Sequence, residues 1–462
     1  MKLYPFQHTG SDKLVACDGV GLLAMEMGTG KTRTALDILR RVRCRKILIV
    51  APLSTVAVWE DEIAECVPRA VFVDCTRGST RKRAQTLLNG ADGAVLAYVF
   101  VGYESVWRAP LAKAVERWAP SAVIYDEAHR LKARTTRQSR YAHKLADRIP
   151  YRLGLTGTPM PNGPQDLYSV FKALKPELFG TRWYDFQATY LRMGGYGGYQ
   201  IVAYRNLGRL RRIVSANSFR ITKAKALDLP SQTDVRVAVT LSPKEQRAYQ
   251  ALRTHAIAEI DGWRKGKRAS GIALSRVVLT NIMRLQQVTS GFVKVTDGRV
   301  IDIGRSKINV LTDLLSDALP QVGHVVVFCR FIHDIEAVMA AVKKLKHLAW
   351  RLDGTVPRKD RPATLQNFRE KGGVLVGQIA VSSLGIDLSC AHVAIFFSPD
   401  YSYTNFAQAR DRLHRHGQKL PVTYYHLVVP ESVDDRVYAA LQRKRNLASR
   451  VLDKKRAKAL FE

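Results

Sequence analysis

The sequence predicts an α/β protein of two lobes, each a parallel sheet flanked by helices. Short apolar runs alternate with helix-like stretches twice along the chain, and a glycine-rich loop follows the first run. The length, 462 residues, suits two large domains or about three ordinary ones. In the first half the expected strands are 22–25, 47–51, 94–98, 122–125 and 151–156. In the second they are 325–328, 348–352, 374–377, 393–397 and 422–429. Continuous apolar runs of this length read as strands buried on both faces.

Between the two blocks the pattern changes. Residues 165–225 read as helical, interrupted by a flexible loop at Met193-Gly-Gly-Tyr-Gly-Gly-Tyr199. Alternation over 235–241 predicts one strand, and Ser242 with Glu245 predicts a capping box opening a helix. Residues 262–271 read as a basic, glycine-bounded loop. A last helix is expected from about Ser432, with Val433, Val437, Leu441, Ala448 and Leu452 on one face. Its Arg443, Lys444, Arg445, Lys454, Lys455 and Arg456 fit a solvated surface and a nucleic-acid contact equally well. The expected boundaries are 1–164, 165–230, 231–305, 306–430 and 431–462.

Hydrophobic residues make up 46% and charged residues 24%, which excludes a disordered tail, a coiled-coil rod and a disulfide miniprotein. No apolar run reaches the roughly 18 residues of a membrane span, and the first residues lack a signal-peptide layout, so an intracellular protein is expected. None of the six cysteines are paired two residues apart, so reduced thiols are expected rather than a zinc site or disulfides. Lys and Arg number 73 against 40 Asp and Glu, a net charge of +33, which favours a polyanionic partner such as nucleic acid.

The sharpest local signal is Met27-Gly-Thr-Gly-Lys-Thr32, placed after a strand and before a helix. Gly28, Thr29 and Gly30 let backbone N–H groups close around phosphates at a helix N-terminus. Lys31 would reach the β- and γ-phosphates and Thr32 would hold Mg²⁺. The strict pattern places a glycine at position 25, where this chain has Met25. The second signal is the apolar run 122–125 followed by Asp126-Glu127-Ala128-His129. Paired acids at a strand's C-terminal end suit a Mg·nucleotide site, with Asp126 on the metal and Glu127 on the attacking water. The third is Gln408-Ala-Arg-Asp-Arg412-Leu-His414-Arg415-His-Gly-Gln418, where arginines three apart are expected on one helix face. By itself that stretch fits a basic surface helix as well as an arginine finger.

Together these residues resemble the superfamily 2 nucleic-acid motors, and among them the SNF2-like ATPases. Tyr4-Pro-Phe-Gln7 looks like the adenine-reading glutamine region. Ala51-Pro-Leu-Ser54 with Trp59 and Glu62 looks like motif Ia, and Gly102-Tyr103-Glu104 like motif Ib. Leu155-Thr-Gly-Thr-Pro159 matches motif III, Val327-Phe-Cys-Arg330 motif IV, and Ser383-Leu-Gly385-Ile-Asp387 motif V. The SNF2 assignment rests on Asp126-Glu-Ala-His-Arg-Leu-Lys132, on the arginine-bearing stretch at 408–418, and on Phe219-Arg-Ile-Thr-Lys223 with Leu229-Pro230. Three departures stand out. Ser382-Ser383 occupy the place of a usual Gly-Gly pair and Asp387 that of a usual Asn, and Arg220 stands alone where two arginines are usual.

The resemblance implies two RecA-like lobes, 1–164 and 306–430, with SNF2-type helical insertions between them and ATP with Mg²⁺ as cofactors. It implies ATP-binding roles for Gln7, Gly28, Thr29, Gly30, Lys31, Thr32, Gly385 and Asp387, with Thr32 and Asp126 on the metal. Lys31, Asp126, Glu127, Arg412 and Arg415 would be catalytic. His129, Thr156, Thr158 and Gln408 would couple the sites, and Ser54, Thr55, Tyr103, Lys132, Arg330 and Ser382 would line a DNA track. The expected activity is an ATP-dependent double-stranded DNA translocase that grips the phosphate backbone. The alternatives are a strand-separating or fork-remodelling, annealing helicase, and an ATP-switched nucleic-acid scaffold. A monomer recruited by an unidentified protein is expected, without a chromatin-reading module, in a bacterium or phage-infected cell.

Overall fold

The computed structural model describes residues 2–195, 198, 200–265, 271–295, 298–357, 359–382 and 386–452, without the side chains of 259–265, 271–277, 381–382 and 449–452. The chain divides into two compact units, one of residues 1–193, 201–228 and 444–462 and one of 194–200 and 229–443.

The first unit opens with β1 (Val20–Met25), β2 (Lys46–Ala51), β3 (Val71–Asp74), β4 (Ala97–Gly102), β5 (Ala122–Asp126) and β6 (Tyr151–Leu155). A hairpin of β7 (Leu191–Gly194) and β8 (Gln200–Tyr204) follows, and β9 (Ser218–Ile221) then returns to the sheet. The sheet order is β3-β4-β2-β5-β6-β1-β9, with every neighbouring pair parallel. Successive residues serve opposite cores. Leu22, Ala24, Leu48 and Val50 pack on one side, and Leu23, Met25, Ile47 and Ile49 on the other. Helices cover both faces, which is why these strands show no polar alternation. Because β5, β6 and β1 are adjacent and parallel, the segments leaving their C-terminal ends gather on one edge of the sheet. That edge is where open α/β sheets bind ligands.

The second unit contains β10 (Gln232–Ala238), a hairpin of β11 (Phe292–Lys294) and β12 (Val300–Asp302), then β13 (His324–Cys329), β14 (Ala349–Leu352), β15 (Gly373–Gln378), β16 (Val393–Phe396) and β17 (Val422–Val428). Its main sheet runs β10-β17-β16-β13-β15-β14, again parallel throughout. Val325, Val327 and Cys329 face one core, and Val326 and Phe328 the other. Behind the sheet, Lys307 and Asp434 form an ion pair at 2.6 Å with side-chain exposures of 1% and 0%. Thr289 Oγ1 also donates to Asp434, at 3.1 Å, so the start of the helix at Val433 is tied to two other helices. Asp434→Ala strands the Lys307 ammonium in the core, and a loss of about 3–5 kcal/mol is expected. A lower urea midpoint at constant slope would register it; an unchanged midpoint would show that the pair holds nothing.

Several expectations need correction. The strand expected at 94–98 is Ala97–Gly102: the apolar run continues to Tyr103, and the buried part is its second half, Val95 being 78% exposed. β3, not among the expected strands, is an edge strand in which Val73 alone is buried. Residues 165–225 are not all helical, since β9 joins the first sheet beside β1 and the loop near Met193 is flanked by β7 and β8. Tyr196, Gly197 and Tyr199 lie outside the described residues. The strand expected at 235–241 is β10, and it is an edge strand of the second sheet rather than part of a helical insertion. The Ser242–Glu245 capping box forms, with Ser242 N–H donating to Glu245 Oε2 at 2.8 Å. The helix it opens, Pro243–Lys265, runs through residues expected in the basic loop, while 266–270 lie outside the described residues. The last described helix is Val433–Leu452, burying Val433, Val437 and Leu441; Lys454, Lys455 and Arg456 lie outside the described residues.

Candidate active site

The loop after β1 carries two left-handed glycines, Gly28 (φ 78°) and Gly30 (φ 77°), and Gly30 caps the helix Lys31–Arg41. Only glycine takes these angles without strain, so the loop can turn its N–H groups inward at a helix N-terminus, where an anion is favoured. Thr29 Oγ1 donates to Glu26 O at 2.7 Å. Lys31 Nζ folds back on the end of β1, donating to Met25 O at 3.2 Å and Glu26 O at 3.4 Å. Gln7 braces the loop from the first helix: its Nε2 donates to Thr29 O at 3.1 Å and Gly30 O at 3.4 Å, and its Oε1 accepts from Tyr4 N at 2.9 Å. A methyl group at Gly30 would stand 2.0 Å from Gln7 Nε2. Gln7 therefore holds the phosphate loop in this structure, with an amide that is 2% exposed.

Asp126 ends β5, two strands from β1. Its Oδ2 accepts from Trp59 Nε1 at 3.0 Å and its Oδ1 from Glu127 N at 2.9 Å. Burial, reinforced by the Glu127 charge, pushes its carboxyl up to about 6, against the pull of Trp59 and Lys31. Glu127 sits at φ 51°, a left-handed conformation uncommon for a residue with a side chain. His129 Nδ1 lies 3.1 Å from Glu127 Oε2 and 3.1 Å from Thr156 Oγ1 beyond β6. Thr156 Oγ1 in turn accepts from Thr158 N at 3.1 Å. The acid pair and the segment after β6 are thus joined by a short polar chain, and the expected coupling residues His129, Thr156 and Thr158 lie in it.

The donors on this edge are a carboxylate and the Thr32 hydroxyl at the helix start, hard oxygens that suit Mg²⁺. Among the described residues no cluster of three His, Cys, Asp or Glu side chains could hold a metal unaided.

The expected DNA-track residues of this unit separate. Ser54 is exposed and Lys132 half-buried, and Thr55 Oγ1 donates to Pro52 O at 2.9 Å. Tyr103 is not on a surface: it is fully buried, and its hydroxyl donates to the Asp126 carbonyl at 2.8 Å. It supports the acid rather than touching a ligand. Trp59 and Tyr103 are functional neighbours that motif reading did not place on Asp126. The signal was an aromatic beside motif Ia and another in motif Ib.

In the second unit, helix Tyr403–Leu413 carries Gln408, which is buried, and Arg412. Arg415 does not share its face. The helix ends at Leu413, whose carbonyl accepts from Gln418 Nε2 at 3.2 Å, and Gly417 turns the chain at φ 97°. Arg415 instead meets the motif V segment, with Nη1 donating to Ile386 O at 3.4 Å and Nε 3.8 Å from Asp387 Oδ1. Burial raises the Asp387 carboxyl, but the Ser389 N–H and Arg415 outweigh it and hold the group below its ordinary value. Asp387, expected among the ATP ligands, is here a partner of Arg415. Arg410, which sequence reading gave no role, stacks 4.1 Å over Tyr424 and bonds Asp234 and Gln232, fastening the helix to β10 and β17. Arg330 follows β13 and turns its guanidinium to Gln286. Ser382 ends a short helix, its side chain undescribed, and Gly385 lies outside the described residues.

Two family models match: the SNF2-related domain over residues 6–291, and the helicase conserved C-terminal domain over residues 306–417. Over 94% of its length the chain is 27% identical to "ATP-dependent helicase brm" of Drosophila melanogaster, covering 28% of that protein. It is 25% identical over 99% of its length to "DNA annealing helicase and endonuclease ZRANB3" of Mus musculus, covering 41% of it. The chain therefore spans less than half the length of these curated relatives. A solved structure described as "Sulfolobus solfataricus SWI2/SNF2 ATPase core in complex with dsDNA" aligns over 98% of this chain and 94% of its own, at 23% identity and a TM-score of 0.45. With one family model spanning well over half of its residues, the chain belongs to the SNF2-related domain family.

Proposed function

We propose that the protein is a DNA-dependent ATPase that uses hydrolysis to move along double-stranded DNA or to remodel protein–DNA complexes. The observation that carries this is the shared edge of β5, β6 and β1, where a phosphate loop, an acid pair and a His–Thr chain converge in a family of ATP-driven motors. In this reading the loop N–H groups and Lys31 bind the β- and γ-phosphates, and Glu127 orients and deprotonates the attacking water. Bound Mg²⁺ would neutralise phosphate charge from Thr32 and Asp126. Arg412 and Arg415 are assigned by motif position to the charge that develops on the γ-phosphate. His129 senses the state of Glu127 and passes it through Thr156 to the segment after β6. Ser54, Thr55, Lys132, Arg330 and Ser382 are assigned to phosphate contacts, and the net charge of +33 supports a grip with little sequence preference.

The mouse relative, a DNA annealing helicase by name, supports a second reading, an annealing or fork-remodelling enzyme. Steady-state ATP hydrolysis at fixed low salt with no nucleic acid, single-stranded DNA, duplex DNA, forked DNA or duplex RNA separates the two. Strong stimulation by plain duplex DNA alone is the expected result. A preference for forks or single strands would move the assignment to fork remodelling, and no turnover with any of them would leave an ATP-switched scaffold.

A further inference from the structure

Gln286 lies fully buried on helix Gly271–Thr289, outside the main sheet of the second unit. Its amide makes two long-range contacts. Nε2 donates to Pro399 O at 2.9 Å, just beyond β16, and Oε1 accepts from the Arg330 guanidinium, just beyond β13. These strands are parallel neighbours, so Gln286 grips the two loops that leave them side by side. The same loops are stitched from within, Arg330 N donating to Ser398 Oγ at 2.7 Å and Ser398 Oγ to Asp334 Oδ2 at 2.5 Å. The guanidinium lies 5.4 Å over the Phe331 ring, so one flat side is covered and its bearing is set by the amide and the ring.

The residue type at 286 follows from chemistry. The site needs an acceptor for the guanidinium and a donor for a carbonyl on one short planar group, and an amide supplies both without charge. Glutamate would hold the arginine at least as firmly, yet it would neutralise the cation and leave the Pro399 carbonyl facing a second acceptor. The carboxylates of Asp334 and Asp400 already act on the guanidinium, which burial disfavours as a cation, so a neutral clamp fixes it without adding a third negative charge. We infer that Gln286 is a positioning residue for the DNA track, aiming Arg330 by an uncharged contact so that no further carboxylate offsets the charge it presents to a backbone phosphate. The inference rests on the proposed reading of Arg330 as a phosphate contact.

The test measures binding of the full chain to a random-sequence duplex as salt is varied, for wild type, Arg330→Ala, Gln286→Glu, Gln286→Met and the double variant Gln286→Glu/Arg330→Ala. Losing one phosphate contact lowers the slope of log affinity against log salt by about 0.9, so between about 50 and about 200 mM salt the variant's affinity falls about 3.5-fold less than that of wild type. That change is expected for Arg330→Ala and Gln286→Glu alike, and the double variant should bind no differently from Arg330→Ala. Gln286→Met keeps the charge but frees the arginine, so weaker binding with an unchanged slope is expected. A purely structural role for Gln286 would lower the melting temperature without altering the slope. If Arg330→Ala shows the reduced slope and Gln286→Glu keeps that of wild type, the clamp is refuted while the track assignment survives. If Arg330→Ala itself keeps the wild-type slope, the track assignment of Arg330 fails and the clamp with it.

Discussion

Glu127→Gln is expected to lower DNA-stimulated ATP turnover by about 10²–10⁴-fold, the usual worth of a placed general base, while duplex binding persists. The amide keeps the size of the side chain but cannot take a proton from water. The substitution leaves the left-handed backbone at Glu127 and the phosphate loop untouched, so the loss should fall on kcat and not on the KM for ATP. Lys31→Ala should also abolish turnover, but by weakening the grip on the β- and γ-phosphates, which raises the nucleotide Kd. Paired measurements of single-turnover hydrolysis and nucleotide affinity separate the two variants. Normal hydrolysis by Glu127→Gln would show that the acid pair is not the catalytic centre.

Arg412→Ala and Arg415→Ala should each reduce turnover by about 10³–10⁵-fold if the residue acts as an arginine finger. The structure gives the two arginines different settings. Arg412 sits in the last turn of its helix, whereas Arg415 lies beyond the helix end and is steadied by Ile386 O and Asp387. Removing Asp387 would therefore disturb Arg415 and leave Arg412 in place. An Asp387→Asn variant that loses as much activity as Arg415→Ala would mark Arg415 as the residue needing support. If neither arginine variant falls by even tenfold, the stretch is a structural surface and the developing charge is met elsewhere.

The parts of this molecule that sequence reveals are those whose meaning lies within a few residues. The phosphate loop is six consecutive residues, and its glycines, lysine and threonine announce their own geometry. Asp126 and Glu127 were legible because a buried strand runs directly into them. What escaped is what the chain assembles from afar. Trp59 reaches Asp126 across 67 positions and Gln286 reaches Arg330 across 44, so no spacing encodes either contact. β9 has four residues, too few for a periodic signal, and it is recruited to the sheet by pairing with β1. Arg415 was misplaced because arginines three apart suit a helix, while the turn at Gly417 and the Gln418 amide end that helix first. Tyr103 was misread because its position in a motif says nothing about which way the side chain turns, and here it turns inward.

The indole of Trp59, 1% exposed and bonded to Asp126 at 3.0 Å, has an optical consequence. A fluorophore stands one hydrogen bond from the carboxylate assigned to the cation, shielded from bulk quenchers and sensitive to the charge on its acceptor. If the proposed site is right, nucleotide binding is expected to change the Trp59 component of the emission, which Trp59→Phe removes from that of the six tryptophans.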